Sequence, residues 1–184
     1  MKNITLIIFT LFVSVFVQSQ KLNMQDLKIV DYEVNSSNNI KIKSLATVDS
    51  IGNLIVYSDS WDGKNYFQYK LTIEEMKVIN LLLNKDLESY VKQKQLNKNQ
   101  FFGGNPRFIT YKTNGKKKSL CFIEPFMDDD FKTVIKILNN KIYLHDESAK
   151  IKNHYTDFEK IKKEIFERSK TDNYLPVRAI IIQN

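Results

Sequence analysis

Three short stretches of the sequence carry residue types that could do chemistry. Asp128-Asp129-Asp130 is a run of carboxylates, His145-Asp146-Glu147 sets an imidazole beside two more, and Cys121 is the single thiol of the chain. A calcium loop needs acids at alternate positions and a glycine at its sharp turn, and the Asp128–Asp130 run has neither. Directly after it, Phe131, Val134, Ile135 and Leu138 recur at helical spacing. Carboxylates before such a stripe satisfy the orphan N–H groups of the first turn and suit the positive end of the helix dipole. Capping is the expected role, with a metal site as the alternative.

His145 could act as a general base or a ligand. A catalytic zinc takes about three protein ligands; the second histidine, His154, follows in a loop-like stretch, and no His-Glu-x-x-His pattern occurs. Surface loop residues are expected there. No Gly-x-Ser-x-Gly nucleophile elbow exists. Cys121 stands in the apolar run Leu120-Cys121-Phe122-Ile123, where a thiol is buried and inert. Gly103-Gly104 lacks the following Lys-Ser/Thr of a phosphate loop. Glu124 and Asp62 could pair as glycosidase carboxylates only in the sense that any two acids could. These residues assign no catalytic centre, cofactor or metal.

Aromatic side chains remain. Trp61 falls at the tip of a hairpin formed by Ser60–Lys64, outside the strand alternation, and Phe101 and Phe102 fall in a Gly-rich loop. Exposed loop aromatics are common anchors of partner contacts. Trp61, Phe101 and Phe102 are therefore the candidate partner-binding residues, the alternative being that they fold back over the core edge.

The elements that must position these groups can be read from periodicity. Strands are expected over Leu27–Val34, Ile40–Val48, Leu54–Tyr57 and Tyr66–Leu71, broken by Asn35–Asn39, Asp49–Asn53 and the hairpin dipeptide Asp62-Gly63. A helix follows: Thr72 and Glu75 fit a capping box, with Met76, Ile79, Leu82 and Leu83 as the buried stripe. A second helix is expected over Asp86–Leu96. Arg107–Lys112 and Lys118–Ile123 form a hairpin around Asn114-Gly115, then comes the helix of Phe131–Leu138 and a short strand Ile142–Leu144. Thr156 and Glu159 repeat the capping pattern ahead of a helix with Phe158, Ile161, Ile165 and Phe166 inward, and Val177–Ile182 is a terminal strand. The order implies an α+β fold, a mainly antiparallel sheet (meander plus hairpin) covered on one face by three to four helices. The two hairpin-then-helix units suggest an internal pseudo-repeat with little side-chain identity.

Ahead of this domain, Lys2 and the uncharged apolar run Ile4–Val17 lead to Gln18-Ser19-Gln20. That is the pattern of a signal peptide, residues 1–19, cleaved to leave Gln20 at the start of a single domain of residues 20–184. An apolar run of ~14 residues at ~1.5 Å each is short for a bilayer core ~30 Å thick, so no membrane span is expected after cleavage. No cysteine stands at the cleavage point to carry a lipid anchor. The expected location is periplasmic or secreted, and one cysteine means that packing, not disulfides, must hold the fold.

A net charge of +7 invites a nucleic-acid reading, but only Arg107, Arg168 and Arg178 carry the planar fork that bases and phosphates favour. No nucleic-acid partner is expected; the lysines read as a solvated surface. Together these features point to an exported non-enzymatic binding protein, an inhibitor or immunity-type protein acting through a protein–protein surface. Two alternatives stand beside it: a metal-dependent hydrolase built on His145, Asp146 and Asp128–Asp130, and an envelope-associated structural protein.

Overall fold

A computed structural model of the chain describes residues 21–61, 63–94, 105–144, 146–172 and 175. The signal segment, Asp62, Phe101, Phe102, His145 and the terminal strand expected at Val177–Ile182 lie outside the described residues. Among the described residues, seven strands form one antiparallel sheet in the order β6-β5-β1-β2-β3-β4-β7. They are β1 (Gln25–Val34), β2 (Ile40–Val48), β3 (Asn53–Ser60), β4 (Gly63–Lys70), β5 (Arg107–Thr113), β6 (Lys116–Phe122) and β7 (Lys150–Ile151). Three α-helices accompany them among the described residues: α1 (Ile73–Ile79), α2 (Asp129–Tyr143) and α3 (Phe158–Ser169).

Local chemistry explains the turns. Asn114 and Gly115 both take positive φ, the backbone of a two-residue turn whose twist matches that of its flanking strands. At the β2–β3 turn, Gly52 has φ +82 and a built Cβ would come 2.6 Å from Met76 Sδ, so α1 packs where only glycine leaves room. One irregularity shapes the centre of the sheet. Asp31 opposes Ser44 but Tyr32 opposes Ile42, so Lys43 is an extra residue in β2. Such a bulge rephases the alternation, and it turns Ile40 and Ile42 toward the face that also holds Tyr32.

The sheet is covered on both faces, which corrects the expectation of a single covered face. Leu27, Ile29, Val48, Leu54, Val56 and Phe67 pack with α1 and α2. Val30, Tyr32, Leu45, Tyr57, Phe108 and Cys121 pack instead with Ile161 and Ile165 of α3. Neighbours Ile29 and Val30 are both fully buried, as the central strands of a three-layer arrangement require.

Several expected elements differ in extent. The Thr72–Glu75 capping box forms as read, but α1 ends at Ile79 and tightens into a 3-10 turn over Asn80–Leu83. Over Leu87–Tyr90 there is a 3-10 turn in place of the expected second helix, and Val91 then bridges to Met127. The expected strand Ile142–Leu144 is the end of α2, because Ile142 continues the buried stripe one turn after Leu138. At α3 the N-cap is Asp157, whose side chain accepts from the Lys160 N–H, not Thr156. Phe166 is 47% exposed with the Lys170 ammonium over its ring, so it faces solvent and not the core.

Candidate functional site

The carboxylates singled out in the sequence have structural work. Asp128 Oδ1 accepts from the Phe131 N–H at 2.9 Å, and its Oδ2 meets Lys85 Nζ at 2.5 Å. Asp129 pairs with Lys92 at 3.1 Å, and that lysine holds its carboxyl below the usual range. Asp146 caps the short turn Glu147–Ala149 by accepting from the Ser148 N–H, and hydrogen bonds from the Ser148 side chain and then its backbone hold the carboxyl below its ordinary value. Among the described residues no three His, Cys, Asp or Glu side chains converge as a metal site. His154 instead lies beside Tyr66, with ring centroids 6.4 Å apart.

Cys121 sits on β6 in the α3-side core, and burial pushes its thiol up to about 12. Its N–H donates to Asp172 Oδ2 at 2.8 Å. Asp172 in turn pairs with Arg168, which also reaches Glu88. Burial is the main cause that raises the Asp172 carboxyl above its ordinary value. This cluster ties the end of α3 to the outer edge of β6.

Trp61 stands clear of the fold, 99% exposed beyond the last β3–β4 pair, Ser60 with Gly63. It does not fold back over the core edge. The hairpin beneath it is paired at every step from Asn53 with Lys70 upward, and Lys41 braces it through Asp59 at 3.2 Å. Below the tip, the Tyr57 ring packs at a tilt against Tyr66 and Phe158 of α3, at centroid distances of 5.2 and 4.7 Å. A rigid support thus holds a solvated indole.

A further cluster went unread in the sequence. Arg107 opposes Asp31, Asp31 opposes Ser44, Ser44 opposes Ser58, and Ser58 opposes Asn65. Directly opposed residues share a face, so these five make one polar row across β5, β1, β2, β3 and β4. Two residues further along each strand, on the same face, the row is Ile109, Ile29, Ala46, Val56 and Phe67, all buried. The polar row therefore marks where the apolar α1–α2 core ends.

Over that row lies the last part of α2. Arg107 Nε donates to Asp31, Nη1 to Glu124 at 2.5 Å and Nη2 to Asn139 Oδ1 at 2.6 Å. The Tyr143 hydroxyl donates to the second Asp31 oxygen. Burial, then the Asp31 charge, pushes the Tyr143 phenol up to about 12. Asp31 and Arg107 side chains are each 6% exposed, whereas Glu124 keeps 35%. Three nitrogens of one guanidinium are committed, which fits Arg's role as a planar multidentate connector in buried pairs. The signal in the sequence was faint: Asp31 and Ser44 each interrupt an apolar face of a strand, and only the register brings them together.

No protein-family model matches this chain, and no match to it was found among curated proteins or among solved structures.

Proposed function

We propose that this chain is an exported, non-enzymatic binding protein of the inhibitor or immunity type, acting through a protein–protein surface anchored by Trp61. The observation that carries the reading is the full solvation of that indole on a braced hairpin. Water gains nothing from such a ring, and a monomer has no packing use for it. Sealed in an interface, a Trp side chain removes roughly 150–250 Å² from water, a gross gain of about 4–6 kcal/mol before ordering costs. Preorganisation of the hairpin keeps those costs low. Phe101 and Phe102 join the proposal on their sequence alone.

Affinity capture from the native exported fraction, with wild type and Trp61→Ala side by side, tests the reading. The expected outcome is a partner whose affinity drops about 30-fold or more for the variant, with unfolding stability unchanged within about 0.5 kcal/mol. Equal capture by both proteins would sink the assignment of Trp61. Sequencing of the mature N-terminus tests export separately, with Gln20 as the expected first residue.

A further inference from the structure

The outer edge of β6 is a ladder with one side to spare. Among the described residues β6 pairs with β5 alone. The Cys121 N–H donates to Asp172 Oδ2 and so points away from β5. In an antiparallel pair the backbone groups of alternate residues face the same side, which turns the N–H and C=O of Ser119 and Lys117 outward as well. Neither residue finds a backbone partner on that side among the described residues, and both keep contact with solvent. We infer that residues 177–182 of the same chain dock on this edge as an antiparallel eighth strand.

The first argument is where the chain is delivered. Asp172 fixes it beside Cys121, the Leu175 N–H returns to the Asp172 carbonyl at 3.1 Å, and Leu175 packs against both hydrophobic clusters. A side chain that touches both cores sits at the rim where the two faces of the sheet meet. Pro176 therefore starts from the edge of β6.

Direction and length follow. β6 ends at Phe122, just beyond Cys121, whereas its run from Lys116 to Leu120 lies the other way. A strand entering beside Cys121 finds a ladder only by running back toward Lys116, which is the antiparallel sense. Six residues at ~3.4 Å each reach about 20 Å, against ~17 Å from Lys116 to Cys121. Pro176 has no N–H to give and stands just ahead of the strand, where none is needed.

Composition supplies the third argument. Val177, Ile180, Ile181 and Ile182 put β-branched side chains at both parities, as a strand between two layers requires. Both walls are in place: α3 joins β6 through Glu164 and Lys117, and the turn Leu87–Tyr90 approaches from the other face, with its cap Asp86 on Lys118. The β6 of a second copy is a poorer occupant, because edge-to-edge pairing would set Lys116, Lys117 and Lys118 against the same lysines. The inference stands apart from the partner of Trp61.

Amide hydrogen exchange and cross-strand NOEs on the full mature chain test it. The Lys117 and Ser119 amides should exchange at least about 100-fold more slowly than in an unstructured chain. Within residues 177–182 protection should alternate, slow where the N–H faces β6 and fast where it faces solvent, with NOEs to Lys117–Cys121 in antiparallel order. An edge strand tolerates proline only where the N–H points outward. Of Ile180→Pro and Ile181→Pro, one should therefore lower protection at Lys117 and Ser119 about tenfold or more, and the other much less. Unchanged exchange in β1 and β2 shows that the fold survives both. Unprotected Lys117 and Ser119 amides, NOEs in parallel order or to another element, or equal effects of the two prolines would overturn the inference. So would NOEs that arise only between isotopically labelled and unlabelled chains, which would give the strand to a second copy.

Discussion

Arg107→Met removes the guanidinium while keeping an unbranched apolar stem. Its consequence can be worked from the contacts. Asp31, with 6% of its side chain exposed, would keep the Tyr143 hydroxyl but lose its charged partner; Glu124 and Asn139 would lose one bond each. Removing one member of a buried ion pair costs about 3–5 kcal/mol, because the other charge stays behind in low dielectric. Urea unfolding followed by circular dichroism measures it. With a slope near 2 kcal/mol per M, typical of a chain this size, the midpoint should fall by about 2 M.

The companion Arg107→Met/Asp31→Leu removes both charges, and apolar replacement of a whole buried pair is often neutral or better. It should therefore recover at least half of the loss. A single-variant cost under about 1 kcal/mol would refute the view that this cluster pins α2 to the sheet. So would a double variant whose cost equals the sum of the singles within about 0.5 kcal/mol, the signature of uncoupled sites.

The remaining predictions concern single positions. Gly52→Ala should cost about 1–3 kcal/mol in the same assay, since alanine at φ +82 is strained and its Cβ meets Met76 Sδ. Cys121 is fully buried with its thiol at about 12, so a disulfide reagent should leave the native protein unlabelled for hours and react completely in denaturant; rapid native labelling would contradict the packing. Asp172→Ala should cost about 1–3 kcal/mol by orphaning the Cys121 N–H. Because burial raises the Asp172 carboxyl in the folded state, the folded protein holds that proton more tightly than the unfolded chain does. This group's contribution is therefore most favourable below the ordinary Asp range and declines as pH rises through the folded value. Asp172→Asn should remove that slope, which stability measured from pH 3 to 7 would show.

How far the sequence revealed this architecture depends on whether a feature is local. The Thr72–Glu75 capping box, the Asp128 cap and the Asn114-Gly115 turn are set within four residues, and each formed where its chemistry put it. Trp61 was legible for the same reason: it follows a paired strand and precedes Gly63 at a turn. The Ile142–Leu144 strand was misread because three apolar residues fit either period, and only the stripe from Phe131 onward decides for helix. That decision was available from spacing alone.

The covered faces and the polar row belong to a different category, because both are properties of pairing between distant segments. Ile29-Val30 and Cys121-Phe122 each put consecutive apolar residues on opposite faces, the pattern of strands buried on both sides. The stripe of α3 was read correctly at Ile161 and Ile165, but nothing within that helix says which face it meets. Lys43 then shifts the phase of β2 by one residue, so alternation counted from Ile40 assigns Ile40 and Ile42 to the opposite face from the one they occupy. That count leaves Ser44 on the face of Ala46 and Val48, but without the register nothing sets it beside Asp31, and each looks like an isolated polar residue in its strand. Placed in register, the two stand between Arg107 and Ser58. Lone polar substitutions in five strands thus become one row, and Ser44 is its most buried member. Registering strands by their polar interruptions as well as by their apolar faces would have brought the row into view, since a charge on a core-facing position must find its partner on a neighbouring strand or helix.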